Sequence, residues 1–524
     1  MSDSPASAQL SSGATRSAWH GTAVVPHFAP LTTDASADVV IVGAGIAGLT
    51  TAYELAVAGR RVIVLDDGPI VSGESGRTTA HLANALDDGF YHLEQLFGED
   101  GARLAAEAHG AAIRRIEEIS KTEGIACDFR RLSGYLFVGE GCDENELYKD
   151  LEAATRAGLP GVRLQAESGQ KGVAWGGPCL VFQQQGQFHI IKYLNGLARA
   201  IEARGGHVHG HSHVAEVQGG EAAFVRLSNG AIVRAGHVVV ATNVPFNDLV
   251  VMHTKQAPYR TYVVAHRVPA GSIAAGLYWD TADPYYYVRL QGTDPAGEFA
   301  GDDLLIVGGL DHKTGQPDHD TERKFDELTT WTIAHFADVG PRAYAWSGQV
   351  LEPNDALGYA GRNPLDADNV FIITGDSGHG MTHGTLGAML ITDLIQEKEN
   401  LWADLFDPGR VTLKPAAPKE FARENANVAA EYIELLTGGD VASSDEIKPG
   451  TGAVLRRGTS KVAAYRDEAG AVHECSAICP HLGCVVAWNN VEKSWDCPCH
   501  GSRFDALGAL LAGPANTGLA AVEK

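Results

Sequence analysis

Runs of apolar and polar positions divide the chain into segments of different period. Residues 39–42 read VVIV, Ile46, Leu49, Tyr53 and Val57 recur at helical spacing, and residues 62–65 read VIVL. Two buried strands joined by a helix with an inward apolar stripe predict a βαβ unit over 38–66. Over 93–122, Ile113, Ile116 and Ile119 share one face of a helix interrupted by Gly98 and Gly101. Residues 131–188 and 259–309 read differently: short strand-like runs separated by Gly and Pro predict antiparallel sheet. Between them, 205–243 alternates and ends in the apolar run 238–241. The run 370–374 predicts a further strand, followed by a helix over about 382–397. Pro408, Pro415 and Pro418 punctuate a linker, after which Phe421, Val428, Tyr432 and Leu435 mark an amphipathic helix. No segment repeats, and no apolar run is long enough to span a bilayer as a helix.

The turn inside the βαβ unit carries the first chemical signal. Gly43, Gly45 and Gly48 form GAGIAG between strand and helix, and Asp66 ends the next strand 18 residues after Gly48. Gly43 permits the tight turn, Gly45 lets backbone approach a pyrophosphate, and Gly48 lets helix and strand pack closely. The helix N-terminus faces the phosphates, and Asp66 is placed to accept from a ribose hydroxyl. Two further segments decide between nicotinamide and flavin. GESGRTTAHL at 73–82 follows the second strand, and GDSGHGMTHGT at 375–385 lies between a strand and a helix; the strand 238–241 runs into Thr242, Asn243 and Pro245. Together with the glycine turn, these motifs resemble the D-amino-acid oxidase and glycine oxidase superfamily over about residues 38–400.

That resemblance implies FAD, held by Gly43, Gly45, Ile46, Ala47, Gly48, Asp66, Arg77, Thr78, Thr79, Gly375, Gly378, Gly380, Met381 and Thr382. The helix after Gly375 would aim its positive end at the flavin ring. The implied fold is an α/β Rossmann-like FAD-binding domain of the glutathione-reductase type, in parts at about 38–130, 189–258 and 350–400. It is interleaved with an α+β antiparallel substrate sheet at about 131–188 and 259–349. His81 is a distant candidate for covalent flavin attachment.

Five of the eight cysteines, Cys475, Cys479, Cys484, Cys497 and Cys499, lie within 25 residues. Cys479 to Cys484 read CPHLGC, residues 497–502 read CPCHGS, and fifteen residues separate His481 from Cys497. Two Cys-plus-His pairs could hold zinc, although each half has a spare cysteine. Cys479, Cys497, His481 and His500 also match a [2Fe-2S] centre with two Cys on one iron and two His on the other. The two motifs, with Gly513, Pro514 and Ala515, resemble the respiratory-type Rieske family over about 445–522. The resemblance implies an all-β domain at 445–524 and a disulfide between Cys484 and Cys499. Phe504 stands where high-potential relatives carry Tyr, which removes one donor to the cluster.

On the substrate side, Trp346, Gly348, Asp355 and Gly361 resemble the stretch before the last flavin motif of amino-acid-oxidising relatives. Those enzymes often place Arg two residues after the glycine to grip a carboxylate; here that position is Val350, followed by Leu351 and Glu352. Glu352 could attract a cationic amine. Tyr285, Tyr287 and Arg289 alternate onto one strand face, so Tyr287 and Arg289 are candidates for lining the substrate site. His379 and His383, four residues apart in the last motif, are candidate proton acceptors.

Composition then bounds the partners. Lys plus Arg number 41 against 65 Asp plus Glu, a net charge of −24, which argues against nucleic acid. From Asp445 onward there are eight Lys and Arg against nine Asp and Glu, so the body carries −23 and the C-terminal part is nearly neutral. Residues 1–37 lack an apolar signal-peptide core, so a cytoplasmic protein is expected. The expected function is an FAD dehydrogenase of a small substrate, an amine by the superfamily's C–N chemistry. Its electrons would pass to the cluster and then to a one-electron protein or quinone. The alternatives are a flavin monooxygenase fed through the cluster, or an electron-transfer module serving a separate oxygenase. Residues 38–415 form the flavoprotein, 416–444 a linker helix, and 1–37 an N-terminal extension.

Overall fold

The computed structural model describes residues 12–247, 252–316, 321–412 and 416–522; the first eleven residues of the extension, Pro415 of the linker and the last two residues of the C-terminal domain lie outside these. The βαβ unit forms as strand Ala35–Val42, helix Ile46–Val57 and strand Val62–Leu65. Its strands bury both faces, so they are continuously apolar and pair in parallel, Val39 opposite Val62. Ile46, Leu49 and Tyr53 are buried, but Val57, expected on the inward stripe, is 51 % exposed. It is the last residue of the helix, beside the turn at Ala58 and Gly59, and has no sheet left to cover it.

The first sheet runs in the order Tyr359–Arg362, Val370–Thr374, Ile232–Val240, Ala35–Val42, Val62–Leu65, His207–His209. Helix Gly380–Ile395 packs beside Ile46–Val57 across it. In helix Phe90–Thr122 only Gly98 leaves helical geometry, with φ 73°; Gly101 stays helical, so the break falls at one glycine rather than two.

The second sheet has nine strands and is antiparallel except where Leu277–Asp280 pairs in parallel with Arg130–Phe137. That pair joins the two distant segments of the substrate domain, so no hairpin fixes its direction. Residues 12–34 are not a free tail. Trp19 is fully buried, donates its indole N–H to the Thr78 carbonyl at 2.5 Å, and lies under the Arg289 guanidinium.

The C-terminal domain is all β. Strands Thr451–Arg457, Ser460–Arg466 and Val472–Ser476 form one sheet, and Ala487–Asn489, Ser494–Asp496, Arg503–Asp505 and Leu510–Ala512 another. Trp495 and Phe504, directly opposite across two strands, fill its core with the cluster-motif cysteines. The domain is docked on the flavoprotein through buried charges. Glu492 pairs with Arg77 at 2.9 Å and Asp496 with Arg260 at 3.8 Å, while Arg503 of the same domain holds Asp496 at 3.0 Å. The sequence linker folds as helix Ala416–Glu431 followed by a 3-10 turn over Tyr432–Leu436. Among the described residues, no helix is long and apolar enough to cross a membrane.

Candidate active site and cluster site

One cavity of about 280 Å³ runs between the parallel sheet, the nine-stranded sheet and the C-terminal domain. At one end the glycine turn shapes it. Gly43 has φ +105°, and a Cβ on Gly48 would lie 1.9 Å from the Gly43 carbonyl oxygen, so the helix can start this close to the strand only with glycine there. Gly43, Gly45, Ile46, Ala47 and Asp66 line this end. Asp66 accepts the Ala44 N–H at 2.6 Å and the Gly68 N–H at 3.1 Å; burial, then neighbouring Asp67, pushes its carboxyl up to about 7. Ser75 of the GESGRTT loop accepts the Ile46 N–H at 3.0 Å, tying that loop to the turn. Leu510, Leu511, Gly513 and Ala515 of the C-terminal domain also reach the cavity wall.

Thr78, Thr79, Gly378, Gly380 and Met381 line the middle of the cavity, whereas Gly375 and Thr382 do not. Gly375 serves the turn, with φ +69°, and Thr382 instead hydrogen-bonds the His109 ring at 2.8 Å. Arg77 lines the cavity too, but its guanidinium is engaged elsewhere. Its two terminal guanidinium nitrogens bond Glu492 and the carbonyls of Gly13, Thr15 and Ser347, so its charge belongs to the domain interface rather than to a cofactor.

The far end separates the candidate catalytic residues. Tyr287 lines the cavity with Tyr285, but Arg289 is fully buried elsewhere and donates to the carbonyls of Thr79, Ala80 and Phe188. It is a clamp on the loop, not a substrate group. His383 turns its Nε2 to the carbonyls of Tyr359 and Thr374, at 3.3 and 3.2 Å, and burial lowers it to about 4. Both histidines line the cavity, and His383 keeps a buried Nδ1 without a hydrogen-bond partner, but only His379 meets a carboxylate. Its Nε2 faces both the Asp87 N–H at 3.0 Å and the Asp87 carboxylate at 3.3 Å. Burial opposes its charge, but Asp87, Asp88 and Asp376 prevail and raise its pKa. Tyr285 donates to the other Asp87 oxygen at 2.7 Å. His81, at the cavity wall, bonds Thr79 at 3.0 Å and is held neutral by burial and Arg289.

Carboxylates that the sequence did not single out complete this end. Asp87, Asp311 and Asp376 line the cavity with Glu352. Burial pushes Asp311 up to about 7, and its Oδ1 is buried without a hydrogen-bond partner. Burial and the nearby acids also raise Glu352, which accepts from Ser377 at 3.0 Å. Nothing in the local sequence marks Asp87 or Asp311, because they meet only when a loop and a sheet strand close on the last flavin motif.

At the cluster site, Cys479 and Cys497 are buried and hydrogen-bonded to each other, which draws the Cys479 thiol down to about 7. The His481 and His500 rings stand 5.1 Å apart, and His500 Nδ1 is buried with no hydrogen-bond partner, as suits a ring nitrogen reserved for a metal. Burial, then His253 and His481, keeps His500 neutral. Cys484 and Cys499 form the expected disulfide. Ser502 accepts the Ala515 N–H at 2.9 Å and its hydroxyl also bonds Cys479.

Comparison with known proteins agrees with both sites. The family profile for FAD dependent oxidoreductases matches residues 38–394, and that for the Rieske [2Fe-2S] domain matches 439–523. A Bacillus subtilis (strain 168) protein, YhfW, named a Rieske 2Fe-2S iron-sulfur protein, is 30% identical over 95% of each chain. Gamma-glutamylputrescine oxidoreductase of Escherichia coli (strain K12) is 30% identical over 74% of this chain and 92% of its own. Glycine oxidase from Geobacillus kaustophilus superimposes with a TM-score of 0.57 at 18% identity, over 72% of this chain and 99% of that one. L-proline dehydrogenase from P. horikoshii gives 0.56 at 17%, over 72% and 98%.

Proposed function

The chain belongs to the FAD dependent oxidoreductase family and ends in a Rieske [2Fe-2S] domain, and on that premise we propose that it dehydrogenates a small cationic amine and passes the electrons through the cluster to an external one-electron acceptor. When bound, FAD accepts a hydride equivalent from carbon beside the nitrogen, and the cluster carries electrons singly. The observation that carries the reading is the charge of the substrate end. Asp87, Asp311, Glu352 and Asp376 line it, while the single Lys or Arg among the described lining residues is Arg77, whose charge is bound to Glu492. Val350 occupies the position where a carboxylate-gripping Arg would be expected. A cation would find partners there in Asp87 and, as they ionise near 6 and 7, Asp376 and Asp311, whereas an α-carboxylate would meet these acids and no free counter-charge. The name of the Escherichia coli relative is in keeping with amine chemistry.

An ammonium has no lone pair to assist loss of hydride, so it must first give up a proton. Asp311, with its carboxyl near 7 and an unpartnered oxygen, is matched to take that proton at neutral pH. The Asp87 carboxylate holds His379 and the Tyr285 hydroxyl in place beside it. The rings of Tyr285 and Tyr287, tilted to each other with centroids 5.3 Å apart, exclude water from the apolar part of the substrate.

The test is anaerobic addition of amines, amino acids and hydroxy acids to the purified holoprotein. Amines are expected to bleach the flavin without any added reductant. Bleaching by amino acids or hydroxy acids but not amines would overturn the substrate class, and flavin that no organic compound reduces would point to a pure electron-transfer module.

A further inference from the structure

Along their histidine edge the cluster-binding loops face the flavoprotein: His500 and the ring nitrogens of His481 are buried, while the outer side of His481 stays partly exposed. His253, from the 3-10 turn Met252–Thr254 of the flavoprotein, lies 4.6 Å from the His481 ring and 5.3 Å from the His500 ring, and is itself 4 % exposed. Beside it, a Cβ on Gly501 would touch Pro258 at 2.7 Å and the Gln349 side chain at 2.8 Å. Gln349 belongs to strand Arg342–Pro353 and is buried. Its backbone N–H donates to Glu74 of the GESGRTT loop at 2.7 Å, and its side-chain Nε2 donates to the Gly501 carbonyl at 3.2 Å, one residue from His500. With Gly348 and Val350 it also forms part of the cavity wall. One residue therefore contacts the flavin cavity, the flavin loop and the cluster loop.

We propose that Gln349 is the contact through which electrons cross between the flavin cavity and the cluster, and that the histidine edge is committed to this internal exchange. This rests on the electron flow given above, in either direction. A substrate oxidised by two electrons then requires two successive single-electron crossings at Gln349, each followed by release to an external one-electron acceptor, with the substrate's protons going to solvent. The Arg77–Glu492 and Arg260–Asp496–Arg503 pairs hold the two domains so that the contact persists through turnover. An external acceptor must then approach elsewhere on the cluster loops, where Leu482 is 38 % exposed.

The experiment needs no substrate. The holoprotein is photoreduced anaerobically with a deazaflavin and light, and the flavin absorbance is followed together with the cluster's EPR signal. In the unaltered chain, cluster reduction is expected to be first order with a rate independent of protein concentration. Gln349→Met, close in size but without the amide donor, should slow this step severalfold while FAD content, cluster content and cluster potential stay the same. Gln349→Leu, which has no donor and a different shape from Met, should behave likewise and guards against a packing defect in the Met variant. An unchanged internal rate in both variants overturns the role of Gln349, and a wild-type rate that scales with protein concentration overturns the committed edge. If reduced flavin leaves the cluster oxidised in the unaltered chain, the proposed electron flow itself fails.

Discussion

Asp311 comes near the end of strand Asp302–Lys313, after the buried Leu304, Leu305, Ile306 and Val307, and there the sheet stops being core and becomes cavity wall. Thr261 bonds the Asp311 carboxyl, but Oδ1 is buried without a partner, which is costly unless a cation arrives. Asp311→Asn should weaken amine binding by about 2 kcal/mol, roughly thirtyfold. Flavin reduction in the parent should rise with pH toward the Asp311 value of about 7, where the carboxyl ionises and can accept a proton, and the variant should lose that limb. Anaerobic stopped-flow reduction across pH measures both. At the cluster, Phe504 is fully buried in the same core as Cys479 and Cys497. Phe504→Tyr adds a hydroxyl donor there and should raise the cluster potential; a redox titration showing no rise would exclude it as a tuning position.

At the scale of elements, the glycine turn and its helix are the part of the site most strictly bound to sequence. The Gly48 Cβ position, 1.9 Å from the Gly43 oxygen, leaves no side chain that fits without moving the helix. Gly48→Ala should therefore cost about 1–3 kcal/mol and loosen the cofactor end, seen as a lower melting temperature and flavin lost on desalting. The last motif behaves differently. Its helix carries His383 and starts after His379 at the N-cap, four residues before, and the single turn between them sends His379 to Asp87 and His383 to the carbonyls of the parallel sheet. Spacing shows that two residues share a helix face; it does not show which neighbours that face meets.

For the whole molecule, the buried ionic interface decides how the parts act together. Burial would favour neutral Glu492, but Arg77, Arg260 and Arg503 hold its pKa down to about 2. A folded-state value below the ordinary one near 4.5 means this contribution is complete above about pH 4.5 and fades as pH falls toward 2. Glu492→Gln leaves the buried Arg77 guanidinium without a counter-charge, Arg260 and Arg503 keeping Asp496, and should cost about 3–5 kcal/mol, separating the C-terminal domain's unfolding from the flavoprotein's in calorimetry.

Much of this protein was legible in the chain because some chemistry requires particular residues at fixed short spacings. The GAGIAG turn, the two Cys-plus-His motifs and the apolar parallel strands read correctly, since each is a local steric or ligand requirement. Arg289 and Thr382 lie off the cavity, and Arg77 and His383 line it while bonding an interface and sheet carbonyls, because a polar residue inside a binding motif can equally serve a loop, an interface or a helix contact. Asp87, Asp311, Gln349 and His253 carried no local mark at all. The sequence alone determined which cofactor folds are present. Only the tertiary structure decided the acidic substrate end and the histidine edge that faces the flavoprotein, because both consist of side chains brought together from distant segments, where charge and burial depend on what lies opposite.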